Sequence, residues 1–283
     1  MTALLRFSIA ILALSFLLPA TTDAKPKPKD DPKHENHYED IAPLELDDIR
    51  IAIFKQHSQM EFALFKAKFE NETSDFLVIR KEAPVFIFDF GNHQPFDGDR
   101  KKPIIIKPEG KASHTYKVTG GADFHVAEFS VEMKGFMRAP LDGKPHQAPD
   151  FQLPAAANNF DAGPFACKLL GVKQETKETV AKFECKYKGK EIGFVDSSRL
   201  SFAIENGQKF ANQDRKAGPR LMFPGDSIKF NAVAKIPAKV VDMQFATLQV
   251  VWGESFIESK LVPIEVPTLE FELDAAKTAE AND

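Results

Sequence analysis

The chain has 283 residues, 41 of them acidic and 37 basic, so its formal charge is −4 and nothing in that balance recruits nucleic acid or an anionic membrane surface. The length leaves room for two domains. Phenylalanine is abundant, with 26 residues against one tryptophan and three tyrosines, which supplies large apolar rings for cores.

The first stretch, MTALLRFSIAILALSFLLPATTDA, carries one basic residue, Arg6, then an apolar run from Phe7 to Leu18, then small residues ending at Ala24. This is the pattern of a secretory signal over 1–24, cleaved after Ala24, and it sends the chain to a secreted or periplasmic location. The run is shorter than the roughly 20 residues that span a bilayer, and no later segment is apolar enough to cross. No transmembrane segment is therefore expected after cleavage.

Residues 25–44 combine proline with dense mixed charge and offer little apolar surface, so they are expected to form a disordered, extended tether. Within it His34 and His37 stand among Glu35, Glu39 and Asp40. Imidazoles three apart with carboxylates can hold a borderline metal such as zinc or copper. The competing reading is a solvated polar segment, and no cofactor is expected.

From residue 45 apolar and polar side chains mostly alternate, the two-residue period of a strand with one buried face. Ile49, Ile51 and Ile53 alternate with Arg50 and Ala52, and Phe65, Ala67 and Phe69 alternate with Lys66 and Lys68. Further strands are expected over 76–79, 85–90, 103–107, 114–118 and 124–133. No long stretch carries a helical period.

The tetrapeptide Ala67-Lys68-Phe69-Glu70 recurs 114 residues later as Ala181-Lys182-Phe183-Glu184. At the same offset Ala52 falls on Ala166, Phe88 on Phe202, Asn92 on Asn206, Gln94 on Gln208 and Phe96 on Phe210. Asp99-Arg100-Lys101 answers Asp214-Arg215-Lys216 one residue later, and by Asp150 to Ala156 the offset has drifted to 120. Loop insertions produce such a drift, because loops accept added residues and paired strands do not. The pattern predicts an internal duplication, with one unit over 45–154, a second over 160–274 and a disordered tail over 275–283.

Each unit has roughly 110 residues and about seven short strands, and in this it resembles the superfamily of tandem immunoglobulin-like β-sandwiches. The resemblance is one of architecture. It implies an all-β chain of two antiparallel β-sandwich domains, and it carries no functional residue with it.

Cys167 and Cys185 flank a polar turn, and a hairpin would place them close to opposite one another. A disulfide there, two unpaired thiols and a redox pair are the three readings, and the spacing favours a disulfide that contributes about 3 kcal/mol. At the 114-residue offset the first unit has Ile53 and Asn71 in their place, so the bridge is a local staple.

Asn92, Gln94, Arg100 and Lys101, with Asn206, Gln208, Arg215 and Lys216, define a repeated polar loop at one end of each unit. Such loops shape turns and also carry binding. Asp97 and Asp99 echo a calcium loop without its full ligand order. Asn71-Glu72-Thr73 fits a glycosylation acceptor or a polar turn. No nucleophile elbow, phosphate-cradling glycine loop or zinc-hydrolase helix is present. The expectation is a binding or scaffold protein whose partner is a protein or glycan of the cell envelope or beyond. The alternatives are a metal-handling protein using the histidine-rich tether and a hydrolase with a dispersed carboxylate site.

Overall fold

The computed structural model describes residues 31–95, 102–121 and 123–283. The expected signal segment, the start of the expected tether, and Asp97, Asp99, Arg100 and Lys101 lie outside the described residues.

Strands make up nearly all the regular secondary structure of the described residues. The first strands are β1 (Asn36–His37), β2 (Leu44–Leu46), β3 (Ile49–Gln59), β4 (Phe62–Asn71), β5 (Phe76–Ile79), β6 (Val85–Phe88) and β7 (Gly91–His93). They are followed by β8 (Ile104–Ile106), β9 (Lys111–Thr119), β10 (Glu128–Glu132), β11 (Phe136–Ala139), β12 (Lys144–His146) and β13 (Phe151–Leu153). Next come β14 (Asn159–Ala162), β15 (Phe165–Gln174), β16 (Thr179–Tyr187), β17 (Ile192–Asp196), β18 (Ser201–Ala203) and β19 (Lys209–Ala211). The last are β20 (Pro219–Met222), β21 (Ser227–Ala234), β22 (Leu248–Val251), β23 (Phe256–Ser259), β24 (Val262–Pro263) and β25 (Leu269–Glu272), before helix α1 (Ala275–Asn282).

All the pairings are antiparallel, and the strands form two stacked units. In the first, the sheet β1-β3-β4-β9 packs over two smaller sheets, β25-β10-β6-β7 and β24-β11-β5-β8. Their shared core is rich in phenylalanine, with Phe65, Phe69, Phe86, Phe129, Phe136 and Phe271 all buried. In the second, β14-β15-β16-β21 packs over β13-β22-β18-β19 and β12-β23-β17-β20. Phe160, Phe183, Phe230 and Phe256 surround the buried Trp252. Apart from β2, the strand order of the second unit parallels that of the first.

The units exchange strands. After β11 the chain crosses over, so that β12 and β13 pair with β23 and β22 of the second unit. After β23 it returns, and β24 and β25 pair with β11 and β10 of the first unit. The second unit is thus continuous, 144–259, and is inserted into a first unit made of 34–139 and 262–282. This differs from the divisions 45–154 and 160–274. Alternation marks a strand and its buried face but not its neighbour, and these short connections reach the other unit as easily as their own.

Both expected disordered ends are ordered within the described residues. Tyr38 is buried, bonds Ser58 Oγ at 2.8 Å and the Val126 carbonyl at 3.1 Å, and packs edge-on against Phe129. One buried ring with paired backbone overrides a composition that reads as tether. The tail forms α1, whose alanines favour helix and whose Asp274 caps the amides of Ala276 and Lys277. The helix seals β1: Asn282 exchanges two hydrogen bonds with the Glu35 backbone, and Thr278 Oγ1 accepts from the amide of His37.

The two units dock through the outer faces of β5 and β17. Leu77 and Ile79 of β5 point into their own core, while Phe76 and Val78 meet Ile192, Phe194 and Ile257 across the junction. The Phe76 and Phe194 rings lie 5.5 Å apart. A strand buried on both faces has no polar positions, as the sequence Phe-Leu-Val-Ile shows.

Candidate functional site

At one rim of this junction two turns converge, each built around an asparagine. Asn71 is 1% exposed, and its amide donates to the carbonyls of Asp75 at 2.8 Å and Lys107 at 3.0 Å. Its Oδ1 accepts from Thr73 Oγ1 at 2.8 Å. The Lys107-to-Gly110 turn closes when Gly110 donates to the Lys107 carbonyl at 3.0 Å, with Glu109 in the left-handed region at φ +55°. The end of β8 is therefore tied to the start of β5, and Lys107 stands exposed at the rim. Asn71 is committed to this turn, so the polar-turn reading of Asn71-Glu72-Thr73 is the one that fits.

On the second unit, Asn212 donates to the Ser197 carbonyl at 2.8 Å and accepts from the amides of Asp214 and Val233. Asp214 Oδ1 then accepts from the amide of Lys216 at 3.1 Å, a side-chain turn that presents Arg215 and Lys216 to solvent. Arg220, on β20, is anchored by a 2.9 Å hydrogen bond from Nη1 to the Lys229 carbonyl.

Together these turns line a groove of about 760 Å³ between the units. Its walls carry Lys107, Arg215, Lys216 and Arg220, and its apolar floor includes Phe76, Ile105 and Leu221. Among the described residues no carboxylate lines the groove. Ile105 is 43% exposed, a large apolar side chain left open to solvent. Among the described residues strands β8 and β20 are each the last strand of their sheet, so both have one free edge there. Short edge strands flanked by Lys107, Pro108 and Pro219 also resist uncontrolled pairing. Four like charges of one sign around an apolar floor attract an anion that carries apolar groups.

The structure brings only part of the expected loop set to this groove. Arg215 and Lys216 line it. Asn92 lies on β7, facing Ile87, whereas Asn206 caps a turn by accepting from the amide of Gln208 at 2.9 Å. Gln94, Asn206 and Gln208 are exposed but do not line the groove. Thus the matched Asn92 and Asn206 do different jobs. Lys107 and Arg220 were not among the expected site residues. Their signal was faint: Lys107 opens the Lys-Pro-Glu-Gly turn, and Arg220 follows Pro219 shortly after the recurring Asp-Arg-Lys.

His34 and His37 are not brought to one centre. His34 meets His125 edge-on with ring centroids 5.1 Å apart, while His37 stacks on His57 at 5.6 Å and bonds Glu35 Oε2 at 3.1 Å. Positions three apart on extended chain face opposite ways. Among the described residues no three His, Cys, Asp or Glu side chains gather as a metal-holding group.

Cys167 and Cys185 are directly opposite in the β15–β16 hairpin and form a disulfide. The counterpart pair in the first unit is Ile49 and Asn71, not Ile53 and Asn71. Phe69 and Phe183 are 114 apart, but their partners Ile51 and Leu169 are 118 apart. A slip of four residues keeps every side chain on its face, so alternation alone does not detect it.

No protein-family model matches the chain, and no curated protein matches it. Among the described residues no helix is long and apolar enough to cross a membrane. The class defined by the fold is an all-β protein of stacked antiparallel sheets.

Proposed function

We propose that the protein is a secreted or periplasmic, non-enzymatic binding or scaffold protein, built from two copies of one ancestral module, that holds an anionic partner in the groove between its units. The observation that carries this reading is the convergence of Lys107 from one unit with Arg215, Lys216 and Arg220 from the other, without a lining carboxylate. The leader-like first 24 residues and the disulfide fit an oxidising compartment. The repeated strand order and the recurring Ala-Lys-Phe-Glu fit duplication. A cationic groove lacking paired carboxylates favours binding over glycoside hydrolysis, which needs two of them.

Retention of the mature protein on an immobilised polyanion, such as heparin, tests the reading. Retention is expected at low salt, with release as salt rises, because the contact is electrostatic. The combined Lys107→Ala, Arg215→Ala, Lys216→Ala and Arg220→Ala variant is expected to flow through while keeping its unfolding midpoint. Equal retention of this variant, still folded, would overturn the groove as the site.

A further inference from the structure

The lining of the groove says more about the ligand than its charge. On β20 three consecutive residues, Pro219, Arg220 and Leu221, border the groove, although successive strand side chains point to opposite faces. Consecutive lining residues on a strand mean that its edge, and not one of its faces, forms the wall. That edge is unpaired among the described residues, where β20 pairs only with β17. The opposite wall contributes Ile105 and Lys107, two apart and so on one face of the chain leaving β8. The groove therefore offers backbone pairing on one side, an apolar floor beneath and cations along the rim.

Three anionic classes compete for such a groove. A glycan is held by stacking on an open aromatic face, and the one lining aromatic, Phe76, is only 2% exposed. Single-stranded nucleic acid likewise needs aromatic platforms for its bases. A small inorganic anion has no use for Ile105 or Leu221. An extended peptide with acidic and apolar residues in alternation uses all three features, since strand geometry sends its carboxylates to one face and its apolar groups to the other.

Resting on the anion-binding reading above, we infer that the occupant is an acidic, apolar-alternating polypeptide segment that adds as a strand to the free edge of β20, its apolar side chains on Ile105 and Leu221 and its carboxylates against Lys107, Arg215, Lys216 and Arg220. This makes the protein a receptor for an extended segment of another protein.

The test measures binding of a labelled eight-residue peptide of alternating Glu and Val to the full mature protein by fluorescence anisotropy. Three competitors are run beside it: the same peptide N-methylated at alternate backbone positions, a heparin oligosaccharide and a thymidine oligonucleotide. The peptide is expected to bind, and N-methylation in at least one of the two alternate registers is expected to weaken it about 10-fold or more by removing backbone donors. Ile105→Ser keeps the charge while removing the floor, and is expected to weaken the peptide but not heparin. If both N-methylated registers bind as well as the parent, or if heparin or the oligonucleotide binds through the four cations while the peptide does not, strand addition is overturned and the anion-binding reading stands. If none binds, both fall.

Discussion

Phe271 stacks on Phe129 with ring centroids 4.5 Å apart and planes 4° from parallel, although 142 residues separate them in the chain. Phe271 belongs to β25, the strand that returns from the second unit to pair with β10. It also meets Phe65 and Tyr38, so the first core is complete only when the end of the chain comes back.

Removing residues 261–283 is therefore expected to unfold the first unit and leave the second intact. The second unit holds all its own strands, β12 to β23, within 144–259. Far-UV circular dichroism reports total structure, and Trp252, the sole tryptophan, reports the second core, where it is 2% exposed and bonds the Pro149 carbonyl. The expected outcome is a reduced dichroism signal with native Trp252 fluorescence. Loss of both signals would show that the second unit depends on the first.

Phe271→Ala in the full chain deletes a buried ring and leaves a cavity, which costs about 3–5 kcal/mol. Urea unfolding is expected to show the dichroism midpoint falling while the Trp252 transition moves much less. Coincident transitions shifted by the same amount would mean the units unfold as one.

Asn71→Ala removes one hydrogen bond each from the Asp75 carbonyl, the Lys107 carbonyl and the Thr73 hydroxyl, which keep the Thr73 hydroxyl, the Gly110 amide and Asp75 as their other partners. Each lost bond costs about 0.5–1.5 kcal/mol, and water reaching the Lys107 turn offsets part of that. A loss of about 2–4 kcal/mol in stability is expected, together with weaker polyanion retention as Lys107 loses its fixed place. Unchanged retention would separate the turn from the groove.

What the sequence made legible follows from what periodicity encodes. Strand β5 was readable over 76–79, and β3 and β4 from their alternating isoleucines and phenylalanines, because a buried face writes a two-residue period. Arg215 and Lys216 were readable as candidates through the recurrence of Asp-Arg-Lys. The partnership of Lys107 with them was not, since it depends on the docking of Phe76 against Phe194 and no local pattern records which faces meet. The ordering of 34–40 was hidden too, as a single anchoring ring, Tyr38, vanishes in a charged window.

Acidification is expected to loosen the contact between β1 and α1. Burial raises the Glu35 pKa, but hydrogen bonds from His37 and Gln59 and the nearby His57 outweigh it and hold it below the ordinary 4.5. A carboxyl depressed in the fold contributes stability that is present above its unfolded value and lost as pH falls through its folded value. Burial is the main cause that holds His57 below the usual 6.5, against the Lys55 carbonyl and Glu35, which raise it. The unfolded chain then takes up a proton on that imidazole first, so stability declines as pH drops below about 6.5. Both effects have the same sign. Hydrogen exchange over 34–39 and 275–282, corrected for intrinsic rate, is expected to quicken from pH 7 to pH 5 relative to β16. His57→Phe, which cannot titrate, is expected to flatten the change.

The bonds that join Glu35, His37 and Glu39 to Asn282, Thr278, Asp274 and Glu272 bear on how the molecule carries tension. Residues 35–39 and 272–282 lie side by side, so a pull that separates them acts on these bonds one after another, as on a zipper, and not on all at once. Load reaches the second unit only after α1, β25 and β24 have peeled away in turn. The inserted unit is mechanically sheltered, and the returning strands act as the fuse.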